Sequence, residues 1–198
     1  MKNLTRIKDS MKAERLPALF PLKAKTPLGD FHMIIERWTD TKGAPVDVVR
    51  ASGFGSLSSL RKRLPPELIS ISLSGKPSGS PAGLHPYQKA IVSYFKGDAR
   101  AFDSVRFAQS GNDFSEKVWK AIASIPYGET VSYQKLALMA GNPKAVRAAG
   151  TACGANRLIL FVPCHRVLRS DGGVGEYLYG KKRKKSLLEH EVSNAHRT

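Results

Sequence analysis

Val162-Pro163-Cys164-His165-Arg166-Val167 is the stretch on which the reading of this chain turns. It follows an apolar run, Leu158-Ile159-Leu160-Phe161-Val162, whose length and β-branched content predict a buried strand ending at Pro163. A thiol and an imidazole then stand side by side at the lip of the core. Cysteine attacks as a thiolate, and a neighbouring histidine or cation is the usual means of lowering its pKa. Cys164 is also readable as a small buried hydrophobe. Adjacency leaves both readings open, so the surrounding chain has to decide.

Upstream, Asn112-Asp113-x-x-Glu116 predicts a capping box at Asp113 and Glu116, opening a helix with Phe114, Val118, Ala121, Ile122 and Ile125 on its apolar face. Pro126-Tyr127-Gly128 is a turn. Ser132 caps a second helix, Tyr133 to Ala140, that Gly141 ends, and Asn142-Pro143 starts a third. Two short helices joined by a tight glycine turn make a helix-turn-helix or an ordinary αα-hairpin. The third helix, Pro143 to Gly154, carries one arginine, Arg147, among alanines and glycines. Major-groove readers usually present several polar side chains to base edges. A slim helix suits the narrower minor groove, where side chains wedge between base steps; small residues that merely allow close packing are the alternative.

Downstream, Gly172-Gly173-Val174-Gly175-Glu176-Tyr177 lets backbone approach a planar ligand, but it lacks the spacing of a phosphate loop. Lys181-Lys182-Arg183-Lys184-Lys185 reads as a solvated face or a set of phosphate contacts. Leu187 to Glu191 predicts a final short helix, and the tail to Thr198 is polar.

The first half predicts a small α+β unit. Phe31–Ile35 and Val46–Val49 are strand-like, and Leu57–Leu64 is an amphipathic helix stopped by Pro65-Pro66. Leu68–Leu73 alternates like a strand, Gly75–Gly83 is a Gly/Ser/Pro loop, and Pro86–Phe95 is another helix. His32 and His85 are isolated and read as structural or surface residues.

Composition sets the bounds. The 198 residues carry 32 Lys and Arg against 16 Asp and Glu, a net charge of +16 that points to a polyanionic partner, nucleic acid or an anionic membrane surface. A hydrophobic fraction of 41% supports a packed core rather than disorder. Two cysteines are too few for a disulfide framework and fit a reducing cytosol. Met1–Lys8 lacks the apolar core of a signal peptide, and no apolar run is long enough to span a bilayer. A soluble cytoplasmic protein is expected.

The second half resembles the O6-alkylguanine-DNA alkyltransferases over residues 112–198. The resemblance rests on Pro163-Cys164-His165-Arg166-Val167, Ile125-Pro126-Tyr127-Gly128-Glu129-Thr130, Ser132-Tyr133, Gly141-Asn142-Pro143, Arg147-Ala148 and Leu187-Leu188-x-His190-Glu191, in family order. The first half resembles the family weakly, through Thr26-Pro27-Leu28-Gly29. The resemblance implies an α+β chain with a small ribonuclease H-like α/β domain in residues 1–111. A mainly helical domain in residues 112–198 would bind DNA through its helix-turn-helix and accept the alkyl group. It implies a single-use transfer from O6-alkylguanine in duplex DNA to Cys164, with the base flipped out through the minor groove.

In that reading His165 relays a proton from Cys164 through a water, Glu191 orients the histidine, Tyr133 aids nucleotide rotation and protonates the leaving guanine, and Asn156 braces the hinge. Arg147 fills the gap in the base stack, with Tyr133, Lys144, Ala145 and Val146 also on the DNA. Tyr177, Val167, Leu178 and Gly175 form the base pocket. No cofactor, metal or membrane is implied, since the zinc-binding cysteines of some relatives are missing. The partner is duplex DNA, bound by a monomer, alone or cooperatively, in the cytoplasm near the nucleoid. Cys153 reads as packing. The chain departs from the family where Arg157 follows Asn156 in place of proline, and where Leu178 and Tyr179 follow Tyr177 in place of small residues. A lesion-binding protein without transfer and a thiol hydrolase are the competing functions.

Overall fold

The structure is a computed structural model that describes residues 18–75 and 83–195. The expected loop Gly75–Gly83 therefore lies mostly outside the described residues, as do the Met1–Lys8 stretch and the last three residues of the polar tail, whose first part, to Asn194, is helical.

Three antiparallel strands form a meander in the order β1 (Ala18–Thr26), β2 (Gly29–Thr39), β3 (Pro45–Gly53). Pro27-Leu28 turns β1 into β2, closed by the Thr26 hydroxyl donating to the Gly29 carbonyl at 2.6 Å. Strand β1 was not anticipated. Its Phe20, Leu22 and Ala24 alternate inward with Lys23 and Lys25 outward, a period-two signal that Pro21 obscures. Pro21 is tolerated because β1 is an edge strand, where a missing N–H breaks no inner ladder.

Phe31, Met33 and Ile35 of β2 face the main core, while Ile34, beside a bulge, faces a smaller one with Leu19, Ala51, Leu60, Leu64 and Leu68. The smaller core lies under α1 (Leu57–Arg61) and α2 (Pro66–Ile69). Two expectations change here. The helix predicted over Leu57–Leu64 stops at Arg61, and the strand predicted over Leu68–Leu73 is absent. Pro66 begins α2 instead, because its fixed φ and lost N–H suit a first helical turn. The Arg61 guanidinium then takes the carbonyls of Ile69 and Ile71 at 3.0 and 3.2 Å. Leu68 is buried, with Ile71 and Leu73 packed against the same cluster, so the alternation reflects a chain crossing a core edge.

Helix α3 (Pro86–Phe95) packs on β1, capped by His85, whose side chain accepts from the Tyr87 N–H. Helix α4 (Asp113–Ala123) buries Val118, Trp119, Ala121 and Ile122; each large apolar side chain contributes about 1.5–3 kcal/mol. Its cap is Asn112 rather than the expected Asp113: the Asn112 carboxamide oxygen accepts from Ser115 N–H at 2.8 Å. Helix α5 (Tyr133–Met139) follows the short strand β4 (Val131–Ser132) and is capped by Ser132 as expected. Helix α6 (Val146–Ala155) starts three residues later than predicted. Asn142 spends its side-chain oxygen on Lys144 N–H and its carbonyl on Ala145 N–H, making Asn142–Ala145 a turn between α5 and α6.

The strand predicted over Leu158–Val162 is also absent. All five side chains are buried, but the backbone folds back: Val162 N–H donates to Leu158 O at 2.8 Å, and Leu160 holds φ +71°. Apolarity predicted burial, not extension, an ambiguity inherent to short apolar runs. A 3-10 turn, Cys164–Arg166, leads into strand β5 (Val167–Leu168), which pairs in parallel with β4. One helix, α7 (Lys181–Asn194), takes in both the basic run and the expected short helix.

The edge of β3 is covered by later chain. Val49 exchanges bonds with Arg106 O and Ala108 N, and Ser52 N–H donates to Arg157 O at 2.8 Å. The main core likewise draws on both halves, from Phe20 and Met33 to Trp119, Phe161 and Leu187. The first half is thus bonded directly to the segment that delivers Cys164.

Candidate active site

Cys164 opens the 3-10 turn and lines a cleft of about 260 Å³ with Tyr133 of α5, Cys153 and Asn156 of α6 and its end, and Tyr177 and Leu178 of the glycine-rich loop. Small residues make the cleft. A Cβ on Gly150 would sit 3.9 Å from the Tyr133 ring, and one on Gly175 would meet Tyr133 at 3.5 Å. Two phenols face this space. Burial, then the neighbouring thiols, push Tyr133 up to about 12, so it stays protonated as a donor. The Tyr177 hydroxyl is buried without a hydrogen-bond partner. The Cys164 thiol is pushed up by burial, against an Asn156 side-chain hydrogen bond and the charges of Lys184 and Arg63. The expectation that a neighbouring histidine would lower it is therefore corrected: desolvation outweighs the charges, and the resting group is a thiol.

Behind it, His165 Nε2 lies 2.8 Å from Glu191 Oε1, both side chains buried. Glu191 also accepts from Arg166 Nε at 2.8 Å, Arg166 Nη2 at 3.0 Å, the Tyr94 hydroxyl at 2.7 Å and Gly128 N–H at 3.2 Å. His165 and Arg166 hold this carboxylate far below the usual range in spite of burial. Because the carboxylate is ionised it can only accept, so Nε2 carries the imidazole proton and Nδ1 is left as the basic nitrogen. Nδ1 has no partner among the described residues. Burial lowers the His165 pKa against the pull of Glu191, which keeps the ring neutral. The two neighbouring residues thus carry a protonated thiol and a neutral imidazole.

Asn156 closes α6, with its side chain fully engaged. Its amide donates to Val162 O at 2.8 Å, and its oxygen accepts from Leu158 N–H and Gln109 Nε2, each at 3.0 Å. The departure at Arg157 has a physical consequence. Arg157 N–H donates to Gln109 Oε1 at 2.9 Å, a bond no proline could make, and its guanidinium reaches Ser110 O at 2.5 Å. Gln109 was not anticipated; it carries no motif and acts across 47 residues.

Arg147 stands exposed on α6, near Lys144 in the exposed turn, with Ala145 and Val146 half-buried. Leu178 lines the cleft while half of its surface is exposed. Tyr179 packs away, over β3: a Cβ on Gly53 would lie 2.0 Å from its hydroxyl. Val167 is buried in β5, and its carbonyl accepts from Lys184 Nζ at 2.6 Å. That bond takes Lys184 out of the reading of the basic run as a solvated face or a set of phosphate contacts. Lys184 is fully buried, and its charge opposes the upward push on Cys164. The signal was present: Lys184, Leu187 and Glu191 recur at three and seven residues along one helix face. Among the described residues, no group of three or more His, Cys, Asp or Glu side chains converges to hold a metal.

The comparisons with known proteins fall on the same residues. A family model described as the 6-O-methylguanine DNA methyltransferase DNA-binding domain matches residues 113–193. The bifunctional transcriptional activator/DNA repair enzyme Ada of Escherichia coli is 52% identical over 87 residues, 44% of this chain but 25% of that protein's length. The probable methylated-DNA–protein-cysteine methyltransferase of Acanthamoeba polyphaga mimivirus is 45% identical over 115 residues, 57% of this chain and 70% of the relative. The crystal structure of Mycobacterium tuberculosis OGT in complex with DNA superposes with a TM-score of 0.64 at 29% identity, covering 88% of this chain and 94% of the other. With the Cys164 turn, the His165–Glu191 couple and the small-residue helix all inside the matched region, the chain belongs to the methylated-DNA–protein-cysteine methyltransferase family.

Proposed function

We propose that this protein repairs DNA directly, moving the alkyl group of O6-alkylguanine in a duplex onto Cys164 and acting once. The observation that carries the reading is a buried thiol, at a cleft lined by Tyr133 and Tyr177, whose next residue in the chain is a carboxylate-anchored imidazole. A base buried in a duplex cannot reach such a cleft, so the nucleotide must leave the stack. Helices α5 and α6 act as the helix-turn-helix, with α6 in the minor groove and Arg147 taking the vacated place. Residues 112–198 form the transferring unit, and the first half is the family's ribonuclease H-like domain.

The step balances as a displacement. The thiol proton passes, through a water, to His165 Nδ1, and Glu191 stabilises the resulting imidazolium. Sulfur forms a bond to the alkyl carbon as the carbon–O6 bond breaks. Guanine leaves with the electron pair and takes a proton from the Tyr133 hydroxyl, and the proton gained by His165 returns through water to the Tyr133 oxygen, so both side chains end as they began. The product is a thioether without a leaving group that water can displace, so no turnover follows. Tyr177 lines the cleft, and its hydroxyl, without a hydrogen-bond partner among the described residues, would meet the base.

Intact-mass measurement after mixing with an O6-methylguanine duplex tests this. One added methyl group, mapped to Cys164 and absent in Cys164→Ala, is expected. Repeated turnover, or a methyl group on Cys153, would overturn it, and unaltered mass after tight lesion binding would favour the lesion-binding alternative.

A further inference from the structure

We propose that Arg63, in the connector between α1 and α2, is a positioning residue for Cys164, acting from the first half of the chain through the end of α6. Its Nη2 lies 2.5 Å from Asn156 O and 3.5 Å from Gly154 O. These carbonyls sit at the C-terminal end of α6, where backbone acceptors lack helical partners and the dipole concentrates partial negative charge. Left bare, that charge would oppose thiolate formation at the neighbouring sulfur. The guanidinium covers it.

Arg63 also fixes geometry. Asn156 lines the cleft with Cys164, and its amide donates to Val162 O at 2.8 Å, the same carbonyl that accepts from Cys164 N–H at 2.8 Å, while its oxygen is held by Gln109 and Leu158. Arg63 adds the one restraint on the Asn156 carbonyl. The same segment is held by Ser52, whose N–H donates to Arg157 O and whose hydroxyl donates to Ile159 O at 2.9 Å. Ser52, Arg63 and Gln109 all come from the first half, and all grip residues 156–159. Both carbonyls are reached by the one nitrogen, Nη2, so a lysine ammonium can place the same charge there.

Other groups around the thiol set the background. Lys184 approaches from α7, Cys153 from α6 and Tyr133 from α5; Tyr177, Tyr179 and Glu176 come from the loop. Lys184 and Arg63 are cationic, and both charges act on Cys164 against burial. Removing either should be visible in the thiol's titration.

The proposal rests on Cys164 as the nucleophile, so its test separates thiol chemistry from repair. The rate of Cys164 alkylation by iodoacetamide is followed against pH in the full chain, with peptide mapping to distinguish Cys153, for wild type, Arg63→Gln and Arg63→Lys. Arg63→Gln should raise the midpoint by roughly half a unit to one unit, and so slow alkylation about three- to tenfold at any pH below it. Arg63→Lys restores the charge and should return the midpoint to within about 0.3 unit of wild type. An unchanged midpoint in Arg63→Gln, or equal shifts in both variants, would overturn the proposal in favour of a purely structural role. Should Arg63→Gln melt below the assay temperature, the lysine variant decides alone, a shift of a full unit refuting the argument. Failure of the repair reading would appear differently, as wild-type protein that titrates as expected yet gains no methyl group from the duplex.

Discussion

Replacing Glu191 with glutamine changes one atom type at the most connected point of the site. The carboxylate accepts five hydrogen bonds, from His165, Tyr94, Gly128 and two nitrogens of Arg166, and its side chain is 1% exposed. A carboxamide must turn its NH₂ toward one edge of this ring of donors, opposing either Arg166 Nε and Gly128 N–H or His165, the Tyr94 hydroxyl and Arg166 Nη2. It also leaves the buried Arg166 guanidinium without a counter-charge. Breaking a buried pair by removing one partner costs about 3–5 kcal/mol. For a chain of this size each kcal/mol moves Tm by roughly 2–4 °C, so thermal denaturation should show a fall of roughly 6–20 °C. The pH dependence is a second readout. Because the Glu191 pKa is depressed from 4.5, its stabilisation is present above that value and is lost as pH falls through the folded-state pKa. Glu191→Gln should therefore flatten part of the acid-side decline of Tm. His165 contributes in the same region with its own sign: lowered from 6.5, it lets the unfolded chain take up a proton first as pH falls below that value. A Glu191→Gln protein that melts within about 2 °C of wild type, with the same acid profile, would refute the account of this carboxylate as an ionised hub.

Arg147→Ala should leave Tm unchanged, since the side chain is exposed, yet slow methyl transfer from duplex DNA far more than reaction with a free benzylated guanine base; equal losses in the two assays would remove Arg147 from nucleotide extrusion. Lys184→Met strips the Val167 carbonyl of its donor and Cys164 of a nearby cation; a stability loss of about 1–3 kcal/mol in urea is expected, with an upward shift in the thiol titration. A retained midpoint would show that Lys184 serves packing alone. Gly53→Ala places a methyl group within 2.0 Å of the Tyr179 hydroxyl, so the ring must move; about 1–3 kcal/mol of destabilisation should follow, together with faster proteolysis after Arg169 in the adjoining loop. An alanine variant as stable as wild type would mean that Tyr179 is loosely held.

What could be read from the sequence depended on how far each cause lay from its effect. Helices α3, α4 and α5 have local causes, an apolar face and a cap within four residues, and they were legible to within a residue or two. The Leu158–Val162 stretch was legible as buried but not as bent. Its bend is imposed by Asn156 bonding Val162 O and by Ser52 gripping Arg157 and Ile159 from across the chain. Lys184 was lost in a run of like charges because its partner carbonyl belongs to Val167, on another element. Arg63 and Gln109 had no motif at all; only the fold brings them to the hinge.

The Cys164–His165 adjacency itself has to be reinterpreted. As sequence neighbours they suggested a histidine lowering the pKa of its cysteine. In the fold the firm partner of His165 is Glu191, 26 residues on, and burial leaves the thiol protonated and the imidazole neutral. A preformed thiolate would react with any alkylating agent that entered the cleft. A thiol whose proton departs only when a base stands ready, and an electrophilic carbon is held in line, spends itself on the right substrate. If Cys164 is spent once, as proposed, that restraint follows from the same burial that raises its pKa.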